Sequence, residues 1–161
     1  MKIGIFYASK TGTTKKCAQM IHDHFPDSDL IELDGKEIYL EDYDYIIVGS
    51  PVIAGSLHKH VKKFLKLHKE LLIGKIGYFL CHGFKLNAHE VIKRNVDIEL
   101  AKNTKLISCF GGEIHLDKLK GIDKFMVKLI TRSKKYVEPK LDLEAINIYI
   151  DCLNQLIGQE V

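Results

Sequence analysis

Residues 1–21 read MKIGIFYASKTGTTKKCAQMI. Ile3 to Tyr7 form a short apolar run suited to a strand. A few residues later the periodicity becomes helical, with Cys17, Ile21 and Phe25 on one face before Pro26 ends the pattern. Between them lies Ser9-Lys10-Thr11-Gly12-Thr13-Thr14, where four hydroxyl side chains and a glycine crowd into six residues. A surface turn needs only one or two such residues. The stretch therefore reads as a strand feeding a helix through a loop built to hold something.

The same alternation continues along the chain. A strand from Leu30 to Leu33 ends at Asp34-Gly35, and DYDYIIVGSP follows, with Ile46, Ile47 and Val48 continuous, as in a strand buried on both faces of a parallel sheet. Leu57, Val61, Phe64, Leu65, His68 and Leu72 predict a helix, Ile76 to Cys81 a fourth strand, Ala88 to Lys102 a helix, and Leu106 to Phe110 a fifth strand. Gly121 to Lys135 reads as an additional helix, and Ile146, Tyr149, Ile150, Leu153 and Ile157 mark the last one. Residues 33–45 are ambiguous for a helix but long enough for a crossover. The expectation is an α/β fold, a doubly wound five-stranded parallel sheet of order 2-1-3-4-5, in one domain over 1–161. A helical insert at about 113–138 follows strand five.

Composition agrees with a globule that buries a real core, 46% of the 161 residues being hydrophobic and 28% charged. No leader pattern and no apolar run of membrane-spanning length is visible, so a cytoplasmic location is expected. Cys17, Cys81, Cys109 and Cys152 are scattered in apolar segments without metal-ligand spacing and read as small buried hydrophobes. His60 and His68 are two helical turns apart, too far to chelate, and with His58 they give no metal site. No Ser-His-Asp or paired-carboxylate arrangement supports hydrolysis, and no catalytic acid or base is assigned.

In an open parallel sheet ligands bind beyond the carboxyl ends of the strands. Three loops fall there: Ser9 to Thr14; Ser50-Pro51-Val52-Ile53-Ala54-Gly55; and Cys81-His82-Gly83-Phe84. In the first, Ser9, Thr11, Thr13 and Thr14 offer hydroxyls, Lys10 a cation, Gly12 a close backbone approach, and the helix start its free amides. Neither GxxxxGK[ST] nor GxGxxG spacing is present, so a monophosphate without magnesium fits better than a triphosphate or dinucleotide. The competing reading is a helix start capped by its own hydroxyls. His82 reads as a ring-orienting or proton-handling residue or as a loop histidine, Tyr7 as core, and Cys81 as buried.

YASKTGTTKKCAQMI and DYDYIIVGSPV together resemble the flavodoxin-like proteins. That resemblance implies FMN as cofactor, its phosphate held by Ser9 to Thr14 and its ring flanked by Ser50 to Gly55 and Cys81 to Phe84. SPVIAGSLHKHVKKFLKLH and CFGGEIHLDKLKGIDKFMVKLITRSKK resemble more narrowly the flavodoxin-domain, menaquinone-dependent protoporphyrinogen oxidases. The absence of tryptophan and the net charge of +3 also separate the chain from acidic electron carriers. This resemblance implies an FMN-dependent oxidoreductase of haem synthesis that oxidises protoporphyrinogen IX and passes electrons to a quinone. The alternative is a flavodoxin-type electron-transfer protein, and a third reading is a flavin-free phosphate-binding or regulatory module.

Within the insert, Ile122, Phe125, Met126, Leu129 and Ile130 form one apolar stripe, with Lys124, Lys128, Arg132, Lys134 and Lys135 mostly off it. Residues 115–140 hold eight Lys or Arg against three Asp or Glu. Lys124, Lys128 and Arg132 are therefore candidates for meeting an acidic porphyrinogen or an anionic membrane at the inner face of the cell. The competing reading is a solvated basic face over a stripe that packs on its own domain. The expected partners are porphyrinogen and quinone, and no nucleic acid is among them.

Overall fold

The computed structural model describes residues 1–133 and 135–158. Lys134 and residues 159–161 lie outside that description, so the insert's basic run is followed here without Lys134. Five parallel strands form the sheet: β1 (Ile3–Tyr7), β2 (Asp29–Glu32), β3 (Tyr45–Ile53), β5 (Ile76–Cys81) and β6 (Leu106–Cys109), with β4 (Ser56–Leu57) as a short antiparallel partner of β3. Their order is β2-β1-β3-β5-β6, the expected 2-1-3-4-5 winding once the small β4 is set aside. Register follows the apolar runs, with Ile5 opposite both Leu30 and Ile47, Val48 opposite Tyr78, and Phe79 opposite Ser108.

Because successive strand residues point to opposite faces, the continuous runs fill two cores. Phe6, Val48 and Tyr78 face one layer, with Val61, Phe64 and Leu72 of α2 (Lys59–Leu67) and α3 (Lys69–Leu72) and Ile92 of α4 (Ala88–Asn95). Ile5, Ile47 and Phe79 face the other, with Cys17 and Ile21 of α1 (Thr13–His24) and Tyr149 and Leu153 of α7 (Leu143–Gly158). Phe79 lies across Gly49, where a Cβ would come within 2.1 Å of its ring, and stacks on Phe110 at 5.0 Å.

Several predicted elements take different limits. The helix expected through Leu72 breaks at His68, whose φ of −111° and ψ of 17° leave the helical path. The one expected over Ala88 to Lys102 divides at extended Val96, and α5 (Ile98–Asn103) restarts under the Asp97 cap, whose carboxylate accepts the Glu99 N–H at 2.9 Å. Strand two runs from Asp29 rather than Leu30 and stops before Leu33, and strand five stops at Cys109. Residues 33–44 contain no helix. Buried Leu40 and Tyr43 cover that part of the sheet instead, Tyr43 meeting Phe6 edge to face at 5.4 Å and donating its hydroxyl to Asp29 at 2.8 Å.

After β6 the chain leaves the sheet and returns. Gly111 bridges Leu141, the Asp142 N–H donates to the Phe110 carbonyl at 2.9 Å, and Gly111 adopts φ +69° where a Cβ would strike the Lys140 carbonyl. That neck closes an excursion carrying α6 (Gly121–Thr131), which ends before the predicted Lys135. No helix among the described residues is long and apolar enough to cross a membrane.

Candidate functional site

β1, β3 and β5 deliver their carboxyl ends to one rim, where a cavity of about 270 Å³ opens. Its first wall is the loop between β1 and α1. Gly12, at φ +100°, caps α1 without any side chain to satisfy the first-turn amides. Ser9 Oγ is turned inward and accepts the Gly12 N–H at 3.0 Å, which fixes the loop. Thr13 and Thr14 are buried, at 6% and 1% exposure, and neither hydroxyl has a hydrogen-bond partner of ordinary strength; Thr14 faces only the Cys81 thiol. No side chain of the N-cap residue therefore caps α1, and among the described residues the one local hydroxyl bond at the helix start is that of Ser9. Buried hydroxyls beside free helix amides are the donor set a phosphate monoester requires.

The second wall is not a loop. β3 continues through Ile53 and turns at Ala54 and Gly55, both at positive φ, into β4 as a two-residue hairpin. Asn95 holds this hairpin from α4, accepting the Leu57 N–H at 3.2 Å and donating to the Gly55 carbonyl at 2.9 Å. Ser50 is buried and engaged, accepting the His58 N–H at 3.0 Å and donating to the Pro51 carbonyl. The third wall, Cys81 to Phe84, is pinned by the His82 N–H on the Gly111 carbonyl at 2.8 Å, and His82 Nδ1 lies 3.3 Å from the Phe84 N–H.

Of the sequence-predicted residues, Lys10, Thr11, Thr13, Thr14, Pro51, Val52, Ile53, Ala54, Cys81, His82, Gly83 and Phe84 line the cavity. Ser9, Gly12, Ser50 and Gly55 do not; they set the backbone that presents the others. Lys124, Lys128 and Arg132 do not line it either. A fourth wall went unassigned: Gly112, Glu113, Ile114 and His115 after β6, then Leu119, Asp123, Met126 and Val127 around α6. The two glycines of CFGGEIH at the same sheet rim were the available signal. Gly112 is needed for close approach, since a Cβ there would meet the His82 backbone at 2.8 Å.

Ion pairs join the fourth wall to the first. Lys10 bonds Asp123, and Lys16 bonds Glu113 at 2.8 Å, with His115 Nε2 3.2 Å from the other Glu113 oxygen. Lys16 holds the Glu113 carboxyl below its ordinary range, against a smaller opposing effect of burial. Cys81 Sγ lies 3.7 Å from Cys17 Sγ, and that contact with burial pushes its thiol up, favouring the neutral form. No group of histidines, cysteines and carboxylates among the described residues could hold a metal ion.

On α6 the apolar stripe is left largely exposed. Ile122 and Phe125 are 80% and 62% exposed, and the helix buries no residue fully. Asp123 and Val127 face the cavity instead, with Met126 at the stripe's edge.

The flavodoxin domain family model matches residues 4–139. The chain belongs to the flavodoxin-domain family. Two curated flavodoxins are similar to it, that of Picosynechococcus sp. (strain ATCC 27264 / PCC 7002 / PR-6) at 43% identity over 54 residues and that of Clostridium saccharobutylicum at 32% over 84 residues. Those matches cover 31% and 48% of this chain, and they span only 32% and 52% of the relatives' own lengths. A flavoprotein from Lactobacillus acidophilus NCFM, solved in complex with FMN, superposes with a TM-score of 0.52 at 24% identity, covering 67% of this chain and 91% of its own. That likeness establishes the fold.

Proposed function

We propose that this chain binds FMN in the cavity at the ends of β1, β3 and β5 and works as a flavodoxin-type electron-transfer protein. One observation carries the reading: Thr13 and Thr14, whose buried hydroxyls lack ordinary partners, line at the amino end of α1 a cavity with otherwise largely apolar walls. Bound FMN supplies reversible one- and two-electron chemistry. The chain's own residues do the rest. Thr11, Thr13 and Thr14 with the α1 amides hold the phosphate, while Pro51 to Ala54 and Cys81 to Phe84 exclude water from the ring. Asn95 and the Gly111 carbonyl keep those walls in place.

Dehydrogenation of protoporphyrinogen IX with a quinone acceptor is the second reading, favoured by α6, which lines the cavity through Asp123, Met126 and Val127 and carries an exposed apolar stripe with the basic Lys124, Lys128 and, at its end, Arg132. One experiment separates the two. The FMN-loaded protein, reduced anaerobically, should give its electrons to a one-electron acceptor such as ferric cytochrome c. In the oxidised form, mixed with protoporphyrinogen IX and a quinone, it should produce no porphyrin fluorescence above the uncatalysed rate. Catalysed fluorescence that falls when Lys124, Lys128 and Arg132 become glutamine would replace the carrier reading with the dehydrogenase. Failure to reduce the acceptor would overturn the carrier reading outright.

A further inference from the structure

The phosphate loop receives a cation from outside itself. Lys118 leaves the fourth wall just before Leu119, which lines the cavity, and its Nζ lies 3.5 Å from where a Cβ would stand on Gly12. Its backbone is fixed, the Lys118 N–H donating to the His115 carbonyl at 3.0 Å. Of the other lysines in or beside this loop, Lys10 pairs with Asp123 and Lys16 with Glu113, while Lys15 is exposed on α1 and does not line the cavity. Lys118 has no carboxylate partner among the described residues. An uncompensated ammonium thus stands over the loop whose buried Thr13 and Thr14 hydroxyls lack ordinary partners.

Resting on the reading of residues 9–14 as a phosphate cradle, we infer that Lys118 is a phosphate-binding residue carried by the insert. The hydroxyls and α1 amides are neutral donors, whereas a phosphate monoester carries about −1.5 to −2 charge near neutral pH. The ammonium supplies the ionic part of recognition as a point charge, which needs no bidentate geometry. The 111–141 excursion is thereby coupled to the cofactor: holding the phosphate draws residues 115–119 onto the loop, and the ion pairs of Lys10 and Lys16 reinforce the same closure. Ligands without a phosphate do not engage this clamp.

The test is a titration of the full chain with FMN and with riboflavin, for the parent, Lys118→Met, Lys118→Arg, and Lys102→Met as a charge-matched control on α5. Lys118→Met should weaken FMN about fivefold at an ionic strength of about 0.02 M and leave riboflavin unchanged, and the difference should shrink towards parity at about 0.5 M. Lys118→Arg should retain FMN affinity, and Lys102→Met should match the parent. Equal weakening of FMN and riboflavin would make Lys118 a merely structural residue and overturn the inference, as would unchanged FMN affinity. A parent chain that fails to prefer FMN over riboflavin would instead overturn the phosphate-cradle reading on which the inference rests. Thermal melting of each variant without ligand separates loss of binding from loss of fold.

Discussion

Thr13 and Thr14 both bury hydroxyls without ordinary partners in the loop, and Thr13 lacks even the contact that Thr14 makes with the Cys81 thiol. A buried, unsatisfied hydroxyl costs about 1–3 kcal/mol, and a methyl of the same shape removes that cost. Thr13→Val should accordingly raise the stability of the ligand-free protein by about 1 kcal/mol in denaturant unfolding, while weakening FMN roughly tenfold. Loss of stability without loss of FMN affinity would show the hydroxyl to be a packing element. The sequence identified the loop because hydroxyls and glycine cluster there. It could not say which hydroxyls stay without partners, since the bonds of Ser9 and Ser50 to the Gly12 and His58 amides are made only on folding.

Among the elements, the strands were legible and the helix breaks were not. Continuous apolar runs such as Ile46 to Val48 demand burial on both faces, and the observed sheet follows them. Helical periodicity passes unbroken through His68 and across Val96-Asp97, so the interruptions there are set by tertiary packing and by the Asp97 cap. The helix-free crossover was equally hidden, because Leu40 and Tyr43 cover the sheet from irregular backbone. Tyr43 gives that crossover a pH signature. Burial first, then its bond to Asp29, raises its pKa to about 12 from the ordinary 10.0. The neutral phenol is favoured in the folded state, so its contribution is fully present below pH 10 and lost as pH rises towards 12. Unfolding measured across that window should show stability falling with pH, and Tyr43→Phe should flatten the fall while costing about 1 kcal/mol at neutral pH. The sheet itself depends on Gly49, where a Cβ would enter the Phe79 ring. Gly49→Ala should cost about 1–3 kcal/mol by thermal unfolding; a neutral effect would mean that Phe79 has another rotamer available.

For the whole molecule, the question is what the excursion after β6 adds to a flavodoxin domain. It supplies a fourth wall, two ion pairs to Lys10 and Lys16 of the first loop and α1, and a helix whose apolar stripe stays largely outward. Charge pattern and stripe were legible in the sequence, but their orientation was not, because amphipathicity says which residues share a face and not what that face meets. Removing exposed charge from that helix should move stability by no more than about 0.5 kcal/mol, so the glutamine variants of Lys124, Lys128 and Arg132 should melt with the parent. The central claim is that the strand-end cavity holds a flavin through its phosphate. Its most direct test is a visible-absorbance titration of the flavin-free chain with FMN and, separately, riboflavin. The account predicts a shifted flavin band on saturation with FMN, and riboflavin bound at least about tenfold more weakly. Equal affinity for the two, or no spectral change with either, would contradict it.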